Sequence, residues 1–466
     1  MTKREPSLDL AHSDPDRCPG PGVAELLASE TRVVPPGIAE DSWRDLGTAP
    51  IAADRYTSAA FFAEEKAKMW PNVWQMAARD DELPDQGDIV VYENVGRSYL
   101  LIRQEDGSVR AFHNVCLHRG RKLRTEDGSA SDLQCPFHGF TWALDGSLKQ
   151  IPCAWDFAHL AERDMTLPEL RVATFAGFIF VTESDAAPPL ADYLAPLPAI
   201  FERWRIDECY TGVWVGKVIH ANWKVCAEAF MEAWHSVVTH PQILPFTGDA
   251  NTRYSLWGDH ANLALTPFGV LSPHLEGKGY TENSILEAMG LGSGRNAGAA
   301  DLSVSEGQTA RSLLAAANRA KYVDDLGYDS SDVTDSELLD GYTYNVFPNL
   351  SPWGGFAPNL VYRWRPWPDQ NSTLMEVRLL MRPAKGEPRP RSVEMIFLGE
   401  DESWSSYSGW GMLGSIFDQD MTNLPYVQEG LHASPNNRVE LGNYQESRIR
   451  QFHQTLDKYL DGSLPG

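Results

Sequence analysis

The amino-acid sequence predicts an α+β protein in which a small all-β domain precedes a larger domain of mixed helices and strands. Its 466 residues allow two or three domains at about 150 residues each. Between about residues 76 and 185, the apolar residues follow the period of two that is typical of strands. Helical periodicity dominates residues 222–240 and the carboxy-terminal part of the chain, and further strands lie between them.

Composition and charge exclude several classes of protein. A formal net charge of −24 and a sequence pI near 4.9 argue against a general binder of nucleic acid or anionic membranes. No apolar run approaches the roughly 20 residues that span a bilayer. The first residues are followed by acids, so we expect no secretory signal, no membrane association and a cytoplasmic protein. In that compartment the six cysteines are expected to be thiols or metal ligands.

The amino-terminal part divides into two predicted regions. Residues 1–45 are rich in Pro, Asp, Ser and Gly, which predicts an extended arm. Residues 46–185 form the all-β domain with a leading helix over 57–75, which Ser58 can cap and Pro71 ends. Within this domain, strands are predicted at 89–92, 98–103 and 111–115, and Asp-Gly pairs beginning at Asp106, Asp127 and Asp145 mark turns.

Residues 186–466 form the larger predicted domain. It starts with a helical linker at 190–204, and a helix is expected at 222–240. The insertion 275–340 carries twelve acidic and five basic residues and a helical stretch at 309–326. A long insertion of this kind predicts a mobile lid or a disordered loop. Strands are predicted at 210–219, 343–348, 359–366 and 373–382.

Two short segments of the β domain each place one thiol and one imidazole on a loop. Cys116-Leu117-His118 is followed, after sixteen residues, by Cys135-Pro136-Phe137-His138. Structural zinc accepts two Cys and two His, but zinc fingers pair Cys with Cys and His with His. A Rieske [2Fe–2S] cluster takes Cys on one iron and His on the other, which matches the mixed pairs. Gly120 and Gly139 allow the backbone to turn closely around such a cluster.

Residues 116–120 and 135–140 resemble the Rieske motif of ring-hydroxylating oxygenase large subunits. Rieske proteins of respiratory complexes carry two further cysteines that form a disulfide, and Arg121 and Phe137 stand in their places here. The resemblance implies an oxygenase-type cluster on an all-β Rieske domain. It also implies a catalytic domain of the helix-grip type, with an antiparallel sheet flanked by helices. The implied cluster ligands are Cys116, His118, Cys135 and His138.

A second constellation lies in the predicted helix 222–240, where His235 and His240 stand five residues apart. On a regular helix five steps leave them about 140° apart, so both face one metal only where the helix bulges or ends. Pro241 can end the helix, because the residue before a proline avoids the α region. Two His and one carboxylate form the facial triad that binds non-haem Fe(II) and leaves positions open for O₂.

The Asn222-Trp223-Lys224 start and the His spacing resemble the mononuclear-iron helix of the same family, although Ala229 stands where relatives often have Asn. The family's acid, followed by Gln eight residues later, implies Asp420 as the third ligand, with Asp418 as its competitor. Glu232 stands where the family has Asp or sometimes Glu. The resemblance implies that Glu232 bridges a cluster His of one subunit and an iron His of its neighbour. It thereby implies a head-to-tail homotrimer, with a small β subunit or a dimer of trimers left open.

Residues near these ligands are candidates for partner docking and for a substrate pocket. A basic cluster on an acidic chain predicts docking of an acidic ferredoxin or reductase, and its members are Arg119, Arg121, Lys122 and Arg124. Few charges flank the iron ligands, which favours a mainly apolar substrate. The predicted pocket residues are Phe230, Met231, Trp234, Phe347, Asn349 and Phe417.

Together the residues and the resemblance predict the terminal oxygenase of a multicomponent Rieske system. A partner reductase would supply electrons from NAD(P)H, and O₂ would mono- or dioxygenate a small aromatic substrate, as in aromatic hydrocarbon catabolism. Oxidative O- or N-demethylation is the alternative on the same iron site. A Rieske electron carrier without mononuclear iron is the alternative from another class, and iron and sulfide quantitation separates the two.

Overall fold

The computed structural model describes residues 20–292, 302–356 and 359–464. Nineteen residues of the predicted arm and residues 293–301 of the insertion lie outside this part of the chain. The strands β1 to β18 are, in chain order, Gln75–Arg79, Asp88–Asn94, Arg97–Arg103, Val109–His113, Gly128–Ser129, Leu133–Gln134, Thr141–Trp142, Leu148–Gln150, Glu169–Phe175, Phe178–Thr182, Tyr210–Ile219, Arg253–Trp257, Ala261–Thr266, Gly341–Val346, Leu350–Pro352, Asn359–Pro366, Thr373–Met381 and Ile396–Leu398. The helices α1 to α13 are Val23–Ala28, Pro36–Ala39, Asp54–Thr57, Ala59–Glu64, Leu190–Tyr193, Leu197–Glu202, Trp223–Glu228, Ser236–Thr239, Glu282–Gly292, Ala310–Leu326, Asp335–Leu339, Leu413–His432 and Ser447–Leu460.

The amino-terminal β domain contains a seven-stranded sheet in the order β1-β10-β9-β4-β3-β2-β5 and a three-stranded sheet in the order β6-β7-β8. Their paired strands run antiparallel. The predicted strands at 89–92, 98–103 and 111–115 correspond to β2, β3 and β4. The middle of β3 is apolar at consecutive positions because both faces of this central strand are buried. The connections after β4 and between β6 and β7 carry the two Cys/His segments.

The larger domain is built on an eight-stranded sheet in the order β12-β13-β14-β15-β16-β17-β11-β18. Its neighbouring strands pair antiparallel, and β18 joins the edge parallel to β11. The bounds predicted at 210–219 and 359–366 agree with β11 and β16. Helices α7, α12 and α13 share one hydrophobic core with this sheet. The predicted α+β class, with an antiparallel sheet flanked by helices, is therefore confirmed. No helix in the described ranges is long and apolar enough to cross a bilayer.

The predicted helix at 57–75 is present, but its second half is π-helical and it ends before Pro71. Ser58 caps α4 by accepting a hydrogen bond from the N–H of Phe61 at 3.3 Å. A π-helical turn over Glu65–Met69 follows and leads to Pro71. This turn directs Glu65 into the core, where its carboxylate lies 2.5 Å from the ammonium of Lys224 at the start of α7. Both side chains of this pair are fully buried.

Breaking the Glu65–Lys224 pair is expected to destabilise the fold. Lys224→Met should cost about 3–5 kcal/mol of unfolding free energy, because it leaves a buried carboxylate without its counter-charge. The double variant Lys224→Met/Glu65→Leu should recover most of that loss, since no unpaired charge remains. Equilibrium denaturation measures both values. A single variant as stable as the wild type would show that Glu65 is solvated or neutral.

The described part of the predicted arm is not loose. Residues 20–45 contain α1 and α2, and Val23 and Ile38 are buried in the core beside α6. Glu30 accepts hydrogen bonds from the N–H groups of Asp335 and Ser336 at 2.9 and 2.8 Å, which caps α11. These apolar and capping contacts hold the segment against its own chain.

The insertion is partly a packed helical unit. Helices α9, α10 and α11 pack together in a hydrophobic cluster separate from the main cores. Phe246 belongs to this cluster, and Ile243 and Phe268 pack against it. The Arg311–Asp340 ion pair, at 2.6 Å, ties α10 to the start of β14. Movement of this unit as a lid stays a prediction.

Candidate metal centres and catalytic cavity

The two Cys/His loops of the β domain have the same backbone geometry. In the first, the N–H of Cys116 donates to the carbonyl of Arg121 at 2.8 Å, and Gly120 donates back to Cys116 at 2.9 Å. In the second, Cys135 donates to Phe140 at 2.8 Å and Gly139 to Cys135 at 3.0 Å. Both glycines have φ near +75°, a conformation that other residues adopt at a cost. Each loop thus closes around its cysteine and presents the sulfur and the imidazole on one side.

The side chains of these loops fit a cluster. The rings of His118 and His138 lie 4.7 Å apart, and Phe140 stacks flat on His118. The Nδ1 atom of His118 is buried and has no hydrogen-bond partner in the part of the chain that the structure describes, which leaves it available as a ligand. Burial raises the pKa of Cys116, and the neighbouring Cys135 raises it further, while backbone N–H groups oppose the rise. To be held as thiolates, two adjacent buried sulfurs would need positive charge close by, which iron would supply.

The pairing of the donors argues against one structural zinc ion. Zinc fingers pair Cys with Cys and His with His, whereas each loop here carries one Cys and one His. All described cysteines are free, so Arg121 and Phe137 indeed stand in a loop pair without a disulfide.

The second constellation forms because the predicted helix at 222–240 breaks. Helix α7 ends at Glu228 and α8 begins at Ser236, and the intervening residues turn the chain. His235 stands at the start of α8 and His240 at its end, with φ −127° immediately before Pro241. This break overcomes the 140° separation of a regular helix and brings the two rings to 5.2 Å.

Asp420 on α12 completes the triad. Its Oδ1 lies 2.8 Å from Nε2 of His240 and 3.6 Å from Nε2 of His235. Two turns further along α12, the side chain of Gln428 accepts from the N–H of Asn222 at 2.9 Å, which fastens this helix to the start of α7. The spacing of eight residues therefore sets the position of Asp420. Its competitor Asp418 instead accepts hydrogen bonds from the N–H groups of Trp404 and Ser405.

The outer nitrogens of the two histidines are held by different groups. Nδ1 of His235 lies 2.6 Å from Glu232, which also accepts the N–H of His235 at 3.0 Å. Nδ1 of His240 lies 2.8 Å from the side-chain oxygen of Gln419, which Gln242 also contacts at 2.6 Å. These contacts direct both Nε2 atoms at Asp420, which is the arrangement expected for metal-binding histidines. Glu232 was predicted from the sequence. Gln419 and Gln242 were not, although Gln419 directly precedes Asp420 in the chain.

The charges around the triad favour a cation. Burial alone would lower the pKa of His235, but the carboxylate of Glu232, helped by Asp420, raises it to about 9. The same negative potential attracts a divalent metal ion. The site therefore fits an Fe(II) ion by donor type, donor spacing and charge.

Loss of the Gln419 oxygen is expected to weaken metal binding at the triad. Gln419→Leu should lower Fe(II) affinity about 10- to 100-fold, because His240 then loses the acceptor that orients its ring. Gln419→Glu keeps an acceptor and should retain the affinity within a few-fold. Competition with a chelator, with the iron retained per chain as the readout, measures the difference. Equal affinity in wild type and Gln419→Leu would mean that another group orients the ring.

A cavity of about 150 Å³ lies against the triad. Its wall is contributed by the broken helix, the turn after α8, the ends of β13 and β14, and α12. The lining residues are Ala229, Phe230, Glu232, Ala233, His235, Ser236, His240, Ile243, Thr247, Thr266, Phe268, Gly341, Thr343, Trp353, Tyr362, Ile416, Phe417 and Asp420. Apart from the metal-site residues, the lining is apolar, aromatic or hydroxylated, and it carries no further charge.

The predicted pocket residues divide into two groups. Phe230 and Phe417 line the cavity. Four others do not line it, because the sequence indicates position along an element but not which way a side chain points. Met231 is buried in the core, and Trp234 is 42% exposed. Phe347 packs against Phe452 in the core, while Asn349 holds the backbone of Met76 in the β domain.

The predicted docking cluster lies at the first Rieske-type loop. Arg119, Arg121 and Lys122 are exposed, and Arg124 is partly buried. Lys122 forms an ion pair with Glu93, and Arg119 lies over the ring of Phe137, which is 57% exposed. The surface beside the cluster loops thus combines basic groups with an exposed aromatic ring.

Comparison with protein families agrees with this geometry. Residues 73–166 match the Rieske [2Fe-2S] domain, so the amino-terminal β domain belongs to the class that carries a [2Fe–2S] cluster. Residues 199–462 match the catalytic domain of the ring-hydroxylating alpha subunit. The chain belongs to this family of Rieske oxygenase large subunits.

Several curated proteins are similar over part of their length. The carnitine monooxygenase oxygenase subunit of Acinetobacter baumannii is 31% identical over 192 residues, covering 40% of this chain and 51% of that protein. The glycine betaine monooxygenase oxygenase subunit of Chromohalobacter salexigens is 29% identical, covering 47% and 51%. The large oxygenase component of the naphthalene 1,2-dioxygenase system of Pseudomonas putida is 34% identical, covering 39% and 42%. The chain thus matches about half the length of these relatives.

Solved structures share the fold over most of the chain. The quaternary ammonium Rieske monooxygenase CntA in complex with L-carnitine superimposes with a TM-score of 0.63 at 18% identity, covering 89% of this chain and 96% of that one. Naphthalene 1,2-dioxygenase from a Rhodococcus species, bound to indole, gives 0.61 at 20% identity, covering 89% and 95%. Both similarities establish the architecture.

Proposed function

We propose that this protein is the terminal oxygenase of a multicomponent Rieske system, which inserts oxygen from O₂ into a small organic substrate. One observation carries the proposal. His235, His240 and Asp420 converge on a cavity whose lining carries no charge apart from the metal-site residues, in the same chain that carries two matched Cys/His loops. An electron carrier needs the loops but has no use for the cavity and the triad.

Each group of residues has a role in this proposal. Cys116, Cys135, His118 and His138 hold the [2Fe–2S] cluster, and the triad holds Fe(II). When bound, the cluster supplies single electrons from NAD(P)H through a partner reductase, and the iron supplies the site at which O₂ is activated. The protein orients both outer ring nitrogens of the triad, and the apolar lining excludes water from the substrate site.

We further propose that Glu232 connects the two metal centres between subunits of a head-to-tail homotrimer. The Glu232 carboxylate contacts His235, and 9% of the Glu232 side chain is accessible. A cluster histidine of an adjacent chain is the group that such a carboxylate can accept from. Native mass spectrometry tests the assembly and any added β subunit.

The proposed location is the cytoplasm, which the free cysteines of the described residues fit.

The substrate is proposed to be small, mainly apolar and uncharged in its reacting part. The cavity volume and the aromatic residues of its wall support an aromatic ring in the substrate, as predicted from the sequence. Demethylating monooxygenation is the second candidate, because the named relatives include oxygenases of carnitine and glycine betaine. A screen with a surrogate reductase under ¹⁸O₂ tests the function. Labelled product is the expected result, and NAD(P)H consumption without labelled product from any compound would contradict it.

The electron donor is proposed to dock on the basic loop. Reversing the charges with Arg121→Glu/Lys122→Glu should slow reduction by an acidic ferredoxin about tenfold or more at low salt, because the attraction that steers association is removed. The difference should shrink as ionic strength rises. Stopped-flow reduction measures both effects, and Arg97→Glu is a control from the neighbouring strand. An unchanged rate at low salt would remove the docking proposal.

A further inference from the structure

Among the hydroxyl-bearing residues of the catalytic cavity, Thr247 has a side chain that the proposed iron chemistry does not use. Thr247 lines the cavity and is only 2% exposed. Its hydroxyl Oγ1 is buried and has no hydrogen-bond partner among the described residues. A buried hydroxyl without a partner is destabilising, so folded proteins normally pair such a group with protein, water or a ligand.

The backbone holds Thr247 in a defined position. Thr247 and Phe268 form an isolated antiparallel bridge. On either side, Gly248 N–H donates to the carbonyl of Pro267, and Gly269 N–H to that of Phe246, both at 2.9 Å. The segment is a short ladder fastened to the chain that follows β13, so the orphan hydroxyl belongs to a fixed wall of the cavity.

Thr266 lines the same cavity and provides a contrast. Its hydroxyl lies 2.9 Å from that of Thr252, which in turn donates to the carbonyl of Asp249 at 2.8 Å. This hydroxyl is already engaged within the protein. Three threonines line the cavity, namely Thr247, Thr266 and Thr343. Thr266 is engaged within the protein, whereas the hydroxyl of Thr247 still has hydrogen-bonding capacity to offer to a bound molecule.

We propose that Thr247 is a specificity-determining residue of the cavity and that its hydroxyl hydrogen-bonds to the substrate. The selected substrate is a molecule of about one ring that carries a hydrogen-bonding atom. The size follows from the 150 Å³ volume, because an apolar cavity of about that volume binds benzene. The proposal rests on the proposed function, since it assumes that the substrate occupies this cavity.

The physical reason is the asymmetry of buried hydrogen bonds. A bound molecule without a polar atom displaces water and leaves the Thr247 hydroxyl unpaired, whereas a molecule with a suitable atom pairs with it. Sites built in this way discriminate against analogues that lack the polar atom. Phe230, Phe268 and Phe417 line the cavity around the apolar part of the bound molecule and do not distinguish polar from apolar analogues.

Binding to the holoprotein without reductant tests the proposal. Calorimetry compares two pairs of similar shape, namely toluene with phenol and α-methylstyrene with acetophenone. Thr247→Val should shift the polar-to-apolar ratio of dissociation constants about tenfold or more in at least one pair, and Thr247→Ser should restore it. Thr266→Val, the matched control, should leave both ratios within about twofold of the wild type. If Thr247→Val does not fold, the same ratios of dissociation constants are measured for Thr247→Ala.

Unchanged ratios in both pairs, or no binding by any of the four probes, would overturn the proposal. The proposed function is judged separately by labelled oxygen in the product. A protein that oxygenates substrates but keeps its ratios in Thr247→Val would refute the role of Thr247 alone. A protein that shows the shift but forms no labelled product would refute the oxygenase proposal alone.

Discussion

Asp420→Ala is expected to abolish turnover while leaving the [2Fe–2S] cluster intact. Asp420 supplies a carboxylate oxygen that lies within reach of both histidine Nε2 atoms, at 2.8 Å from His240 and 3.6 Å from His235. Without it, two imidazoles are left to hold the ion, and Fe(II) should be lost. Iron should fall from about three to about two per chain with acid-labile sulfide unchanged. Product formation should drop at least about 100-fold, and the red-brown colour should persist.

Asp418→Ala is the matched control for this prediction. Asp418 lies two residues earlier on the same helix, and its carboxylate caps the backbone at Trp404 and Ser405. Its removal should cost about 1 kcal/mol of stability and leave the iron content unchanged. Loss of the third iron from Asp418→Ala, with retention in Asp420→Ala, would show that the ligand has been assigned to the wrong acid.

Glu232→Gln is expected to retain both metal centres and lose transfer of electrons between them. Glu232 accepts from both Nδ1 and the backbone N–H of His235, and its charge is the main reason that the pKa of this histidine rises to about 9. Glutamine offers one neutral acceptor in place of two anionic ones, so the link to a neighbouring cluster should weaken. Reoxidation of the reduced protein by O₂ and substrate should slow about 100-fold or more.

Glu228→Gln makes the same chemical change four residues earlier, at the end of α7, as a control. The Glu228 carboxylate accepts hydrogen bonds from Tyr56 at 3.0 Å and contacts His453 at 2.8 Å, away from the triad. Reoxidation should stay within about twofold of the wild type. If both variants slow equally, the effect arises from general disturbance of the broken helix, and the bridging role of Glu232 is lost.

Much of the site could be predicted because its chemistry is local in sequence. Each Cys/His loop carries its own donors and its own glycine, so Gly120 and Gly139 already indicated the turns that the structure contains. The five-residue spacing of His235 and His240 required a helix break, and Pro241 supplied the reason. The resemblance to the family, through the Gln that follows eight residues after the acid, implied Asp420 as the third ligand in preference to Asp418.

The remaining features depend on side-chain direction and distant contacts. Phe347 ends a strand at the expected place, but its ring packs into the core, since the alternation along a strand decides which face a residue occupies. Gln419 faces His240 only because α12 is fastened to α7. The Glu65–Lys224 pair joins residues 159 positions apart, and nothing in either local sequence predicts it. The Thr247 hydroxyl could not be predicted either, because its lack of a partner is a property of the assembled cavity.

One experiment tests most directly whether electrons from the Rieske domain are consumed at the triad. Protein carrying both metal centres is reduced chemically, mixed with ¹⁸O₂ and a substrate found in the screen, and followed by absorbance, electron paramagnetic resonance and mass spectrometry. We expect rapid reoxidation with labelled product in the wild type, and an Asp420→Ala protein that stays reduced and forms no product. Reoxidation at the same rate in both proteins would contradict this expectation, because the electrons would then leave by a route that does not involve the triad.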